Sequence, residues 1–105
     1  MIRIPTDRDP THPGEMLREE FLIPMGLTQR ELAVAIHVPY QRINELVNQK
    51  RGVTPSTALR LAKVFNMSAD FWMNLQVRWD LYHALKLEQG QLDSIQPRSS
   101  ARTAA

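Results

Sequence analysis

The chain has 105 residues, 43% of them apolar, which bounds it to one ordinary domain with a core of modest depth and excludes two large independent domains. With no cysteine there is no disulfide framework, thiol nucleophile or cysteine zinc site, and a formal net charge of +2 says little about nucleic acid. No apolar run approaches the roughly 18 residues of a membrane span, and Met1-Ile2-Arg3-Ile4-Pro5 lacks a secretory signal's apolar stretch, so a cytoplasmic protein with no membrane partner is expected.

Residues 1–12 are polar, hold two prolines and read as an extended N-terminal arm. From Pro13 the pattern turns helical, with Leu17 and Phe21 four apart, until Pro24 and Gly26 end the run. Thr28-Gln29-Arg30-Glu31 is a capping box: the threonine oxygen accepts from the Glu31 amide while the glutamate reaches back. Leu32, Ala33 and Ile36 form the buried stripe of the second helix that it starts. After His37-Val38, Pro39 opens a third helix whose Ile43, Leu46 and Val47 share one face. Thr54-Pro55 starts a fourth, with Ala58, Leu61, Ala62 and Phe65 at helical spacing, and Ser68 caps a fifth running to about Leu87. Residues 88–105, with Gly90, Pro97 and Ser99-Ser100, read as a flexible tail. The expectation is an all-α protein: a compact five-helix domain over 13–87, an arm over 1–12 and no strand.

Two short capped helices separated by only His37-Val38 suit the roughly 90–120° crossing of a helix-turn-helix. Ala33 is small where the next helix passes close, and His37 occupies the turn position that needs positive φ, which histidine tolerates better than most residues. Any compact helical bundle also contains capped helices and tight turns, and outward composition argues against that plainer alternative. With Ile43, Leu46 and Val47 inward, the outer and flanking faces carry side chains able to read base edges: Pro39, Tyr40, Gln41, Arg42, Asn44 and Glu45. Tyr40, Gln41 and Arg42, early in the helix, are the preferred readers, while Glu45 has the alternative of pairing with Arg42. Thr28, Gln29 and Arg30 at the second helix's N-terminus, with Asn48, Lys50 and Arg51 on the far side, are candidate phosphate contacts. Charge distribution agrees weakly: residues 1–27 carry net −2, while 28–51 and 52–87 carry +2 each. The alternative for Lys50 and Arg51 is a solvated loop.

His12-Pro13-Gly14-Glu15, Leu27-Thr28-Gln29-Arg30-Glu31-Leu32-Ala33, Lys50-Arg51-Gly52-Val53-Thr54-Pro55, Ala58-Leu59-Arg60-Leu61-Ala62 and Phe71-Trp72-Met73-Asn74-Leu75-Gln76 stand at five places in the chain. Together they resemble the HigA/VapI-like antitoxins, over about residues 12–86. The resemblance implies a lambda-repressor-like fold of the Xre/Cro helix-turn-helix class and a homodimer on a palindromic operator. It also implies repression of its own operon and neutralisation of a co-encoded, ribosome-dependent mRNA-endonuclease toxin. His37 stands where that class generally has glycine, and Pro39 where a serine or threonine cap is common. A stand-alone Xre-type regulator without a toxin is the alternative.

In the fifth helix Trp72, Leu75, Trp79 and Tyr82 repeat at helical spacing, and Phe71, Leu81 and Leu85 add a neighbouring stripe, more apolar circumference than one core needs. Phe71, Trp72, Leu75 and Trp79 are therefore the candidate dimer interface; closure of the core is the competing role, favoured for Phe71 and Leu75. An enzyme is not expected. His12, His37 and His83 lie in three separate segments and read as turn or surface residues, and no Glu-x-x-His pair or glycine-rich phosphate loop occurs. No catalytic residue, metal, cofactor or small-molecule substrate is assigned.

Overall fold

The computed structural model describes residues 9–98. Five helices follow one another, with no strand among the described residues. The first, α1, is built without a break from Pro13–Leu17, a π-helical turn Arg18–Leu22, and Ile23–Met25. Pro24 therefore lies inside the helix rather than ending it. In an unbroken α-helix its ring would collide with the Glu20 carbonyl; in the wider turn ahead of it the Ile23 amide reaches back to the Arg18 oxygen instead. α2 is Gln29–Ile36, α3 Tyr40–Val47, α4 Pro55–Phe65 and α5 Ala69–Asp93.

Helix starts follow from local chemistry. The capping box forms as expected, with the Glu31 amide donating to Thr28 Oγ1 at 3.0 Å and the Thr28 amide donating to Glu31 Oε1 at 2.9 Å. Thr54 and Ser68 cap α4 and α5. Pro39 differs from expectation: it is the N-cap residue of α3, extended at φ −64° and ψ 145°, and Tyr40 is the first helical residue.

Four helices end alike. Gly26, His37, Gln49 and Asn66 all take positive φ, and the amide after each reaches back five residues, from Leu27 to Leu22, Val38 to Ala33, Lys50 to Glu45 and Met67 to Ala62. This is the Schellman closure, which satisfies carbonyls that the end of a helix leaves unpaired. Arg60 adds a further bond at the end of α2, donating from Nη1 to the Ile36 carbonyl at 2.8 Å.

The core gathers Leu17, Leu32, Ile36, Ile43, Leu46, Val53, Leu61 and Trp72 from all five helices and the α3–α4 loop. Each buried aliphatic side chain contributes about 1.5–3 kcal/mol. The start of α1 crosses the end of α3 so closely that a Cβ on Gly14 would run into the Leu46 carbonyl. Only glycine fits there.

Two corrections concern the ends. Residues 88–93 are helical, so α5 is longer than expected and the tail begins after it. Of the expected arm, residues 1–8 lie outside the described residues, while the segment that follows is fastened: Tyr82 Oη donates to Asp9 Oδ1 at 2.7 Å, and His12 is only 3% exposed. The Asp9 carboxylate beside it also holds the Tyr82 phenol above its ordinary pKa. No helix among those described is long and apolar enough to cross a membrane.

Candidate nucleic-acid interface

α2, the turn His37-Val38-Pro39 and α3 form the helix-turn-helix. His37 is the hinge of the turn, at φ 61° and ψ 47°, the left-handed conformation its position requires. Ile43, Leu46 and Val47 face inward, so the 100° step of a helix points Gln41, Asn44, Glu45 and Asn48 away from the core and puts Tyr40 and Arg42 on the flanks.

These side chains form two hydrogen-bonded groups. Asn44 Nδ2 donates to Gln29 Oε1 at 3.1 Å and to Tyr40 Oη at 3.2 Å, and Asn48 Nδ2 donates to Asn44 Oδ1 at 3.3 Å. The Arg30 guanidinium lies over the Tyr40 ring, 4.1 Å from its centroid. In the second group Glu45 accepts from Gln41 Nε2 at 3.2 Å and pairs with Arg51, whose Nη2 lies 2.9 Å from Glu45 Oε1. The Arg51 hydrogen bond is the main reason the Glu45 carboxyl sits below its ordinary pKa. Arg51 is thus the ion-pair partner of Glu45, rather than Arg42, the partner weighed as an alternative to base reading. Arg42 makes no side-chain hydrogen bond among the described residues and Lys50 no ion pair, while the Thr28 hydroxyl is engaged in the cap.

Eight of the twelve residues expected to contact DNA take part in these contacts; of the other four, Thr28, Pro39 and Lys50 are exposed and Arg42 is half-buried. One neighbour escaped the sequence reading. Arg18 of α1 lines a hollow of about 460 Å³ together with Glu15, Gln29, Val47, Asn48 and Gln49, bordering the face. The glycine approach at Gly14 is what brings α1 there, and a contact between segments so far apart has no local signature.

A helix-turn-helix family profile matches residues 17–72. "Virulence-associated protein I" of Dichelobacter nodosus is 54% identical over 70 residues, a stretch covering 67% of this chain and 65% of that protein, so the chain spans just under two thirds of it. "Antitoxin HigA-1" of Vibrio cholerae is 36% identical over 104 residues, covering 93% of this chain and 97% of that one. Among solved structures, "Pseudomonas aeruginosa antitoxin HigA with higBA promoter" is 39% identical with a TM-score of 0.80, covering 84% of this chain and 97% of that one. The chain belongs to the Xre-type helix-turn-helix family.

Within this helix-turn-helix protein α5 sorts its two apolar stripes differently from expectation. Trp72 is fully enclosed and Leu75 is 8% exposed, so both close the protein's own core; Trp72 has no surface left for a partner. The reason is its neighbours: Phe21, Phe65 and Phe71 surround the indole with ring centroids 5.1, 6.4 and 5.2 Å away. Phe71, favoured for the core, is 36% exposed instead, and Leu81 on the same stripe is 40% exposed. Trp79 is half-buried, its ring edge-on to His12 at 4.8 Å.

α5 also holds the basic loop. The Val53 amide donates to Gln76 Oε1 at 2.7 Å, and Gln76 Nε2 donates to Asp80 Oδ1 at 3.0 Å. Gln76 stands next to Leu75 in the Phe71-Trp72-Met73-Asn74-Leu75-Gln76 motif, and its tie to the loop gives that motif a structural purpose.

Proposed function

We propose that this chain is a dimeric, sequence-specific DNA-binding antitoxin of the cytoplasm that represses its own operon and neutralises a partner mRNA-endonuclease toxin. The observation that carries the reading is the outer face of α3, polar and exposed or half-buried along its length, on a fold shared with an antitoxin solved with its promoter. In this reading α3 enters the major groove of a palindromic operator. Gln41 and Arg42 read base edges, with Pro39, Tyr40, Asn44 and Glu45 around them. Thr28, Gln29, Arg30, Asn48, Lys50 and Arg51 meet phosphates on either side.

Selection of bound duplexes from a random library, followed by fluorescence anisotropy of the enriched site, tests the DNA half. A palindrome is expected. If each protomer neutralises about three phosphates, affinity falls roughly a thousandfold between 50 and 200 mM salt. No enrichment, and no binding at low salt, would remove the reading. Co-expression with the product of the adjacent reading frame tests the toxin half: growth arrest relieved by this chain supports an antitoxin. An adjacent product without toxicity leaves a stand-alone regulator.

A further inference from the structure

Asn44 ties the start of α2 to the outer face of α3 by a side-chain hydrogen bond across 15 residues of sequence. Its amide carries two N–H donors, and both are spent inside the protein, one on Gln29 Oε1 and one on the Tyr40 oxygen. An asparagine that reads adenine needs an N–H donor for N7 and its oxygen for N6. Here the donors are taken, and the oxygen already accepts from Asn48.

The direction of the two donated bonds has a chemical consequence. With its oxygen occupied, the Gln29 amide has its NH2 group left to offer. With its lone pair accepting from Asn44, the Tyr40 hydroxyl has its O–H left to offer. Both remaining groups are donors, beside the positive Arg30 guanidinium stacked on the Tyr40 ring. Phosphate oxygens are acceptors only, whereas base edges present donors and acceptors in mixture.

We propose that Asn44 is a positioning residue that sets the hydrogen-bond polarity of Gln29 and Tyr40, so that both present donors to one backbone phosphate of the DNA. Tyr40 then belongs with the phosphate contacts, and sequence reading falls to Gln41 and Arg42. The inference rests on the DNA-binding reading above and deepens it.

The test is a double-mutant cycle by anisotropy, on the selected operator and on a random duplex, with the thermal midpoint of each variant measured alongside. Asn44→Ala is expected to weaken both duplexes by the same factor, about tenfold, as loss of hydrogen bonds to a charged group does. In a background already carrying Gln29→Ala and Tyr40→Phe, the same change is expected to cost less than about twofold, because the groups it orients are gone. A purely structural role would lower the thermal midpoint equally in both backgrounds. A loss confined to the operator, or one undiminished in the double background, overturns the proposal while leaving DNA binding intact. Failure of the unaltered chain to bind any duplex at low salt would remove the DNA reading and this role together.

Discussion

His12 carries more of the structure than a histidine at the end of an arm suggests. Its Nδ1 accepts the Gly14 amide at 2.9 Å, capping α1, so the ring must be neutral at that nitrogen. Burial holds its pKa below the ordinary histidine value, with Asp80 pulling the other way. An unfolded histidine titrates near 6.5, so below that pH the unfolded chain binds the proton that the folded chain resists. The contribution of His12 is therefore whole above about pH 6.5 and is lost as pH falls. Thermal melts of the unaltered protein should drop between about pH 7 and pH 5, whereas His12→Asn, which caps without titrating, should flatten that drop. His12→Ala should cost about 1–2 kcal/mol at neutral pH, measured by urea unfolding. A pH profile identical in all three would show that the cap contributes nothing. His12 was read as a turn or surface residue because capping by an imidazole depends on the close approach of Trp79, 67 residues away, which no local pattern announces.

At the level of elements, starts were legible and ends only in part: Gly26 and His37 were expected to close α1 and α2, while Gln49 and Asn66 were not foreseen. Thr28, Thr54 and Ser68 announce α2, α4 and α5 through side chains that bond amides two or three residues on, and that chemistry is written locally. The shared ending uses glycine only once in four; histidine and asparagine tolerate positive φ better than most residues, whereas Gln49 has no such preference. Gly90 misled in the opposite sense. It looked like a breaker, yet an exposed helix tolerates glycine for about 1 kcal/mol, and α5 runs through it to Asp93. Periodicity likewise placed two apolar stripes on α5 without deciding between Trp72 and Phe71, which differ by one 100° step. The strained endings make a prediction. His37→Gly and Gln49→Gly should each raise stability by about 0.5–1 kcal/mol, the relief of left-handed strain less the added freedom of an unfolded glycine. For a domain of this size that is a few degrees in thermal midpoint, readable by calorimetry. A fall in midpoint for both would mean that their side chains outweigh the strain.

At the scale of the whole molecule, α5 extends the chain to 54 Å along its longest axis against 26 and 22 Å across, and leaves Phe71 and Leu81 open on one side. If the proposed two-fold dimer is built on that stripe, a palindromic operator requires it to set two α3 helices one DNA turn apart, roughly 34 Å. Phe71→Glu combined with Leu81→Glu should give a monomer by sedimentation equilibrium, with affinity for a single half-site retained and affinity for the palindrome reduced at least a hundredfold. A double variant still sedimenting as a dimer would move the interface elsewhere. Gln76 adds something to this picture. It grips Val53, two residues beyond Arg51, from the same helix that carries the open stripe. The helix and the basic loop are therefore tied by a hydrogen bond: if the loop seats on DNA as proposed, a tilt of α5 is expected to move the loop, and DNA to restrain α5 in return. A molecule that altered the tilt of α5 would then change DNA affinity by some factor, and bound DNA would change that molecule's affinity by the same factor.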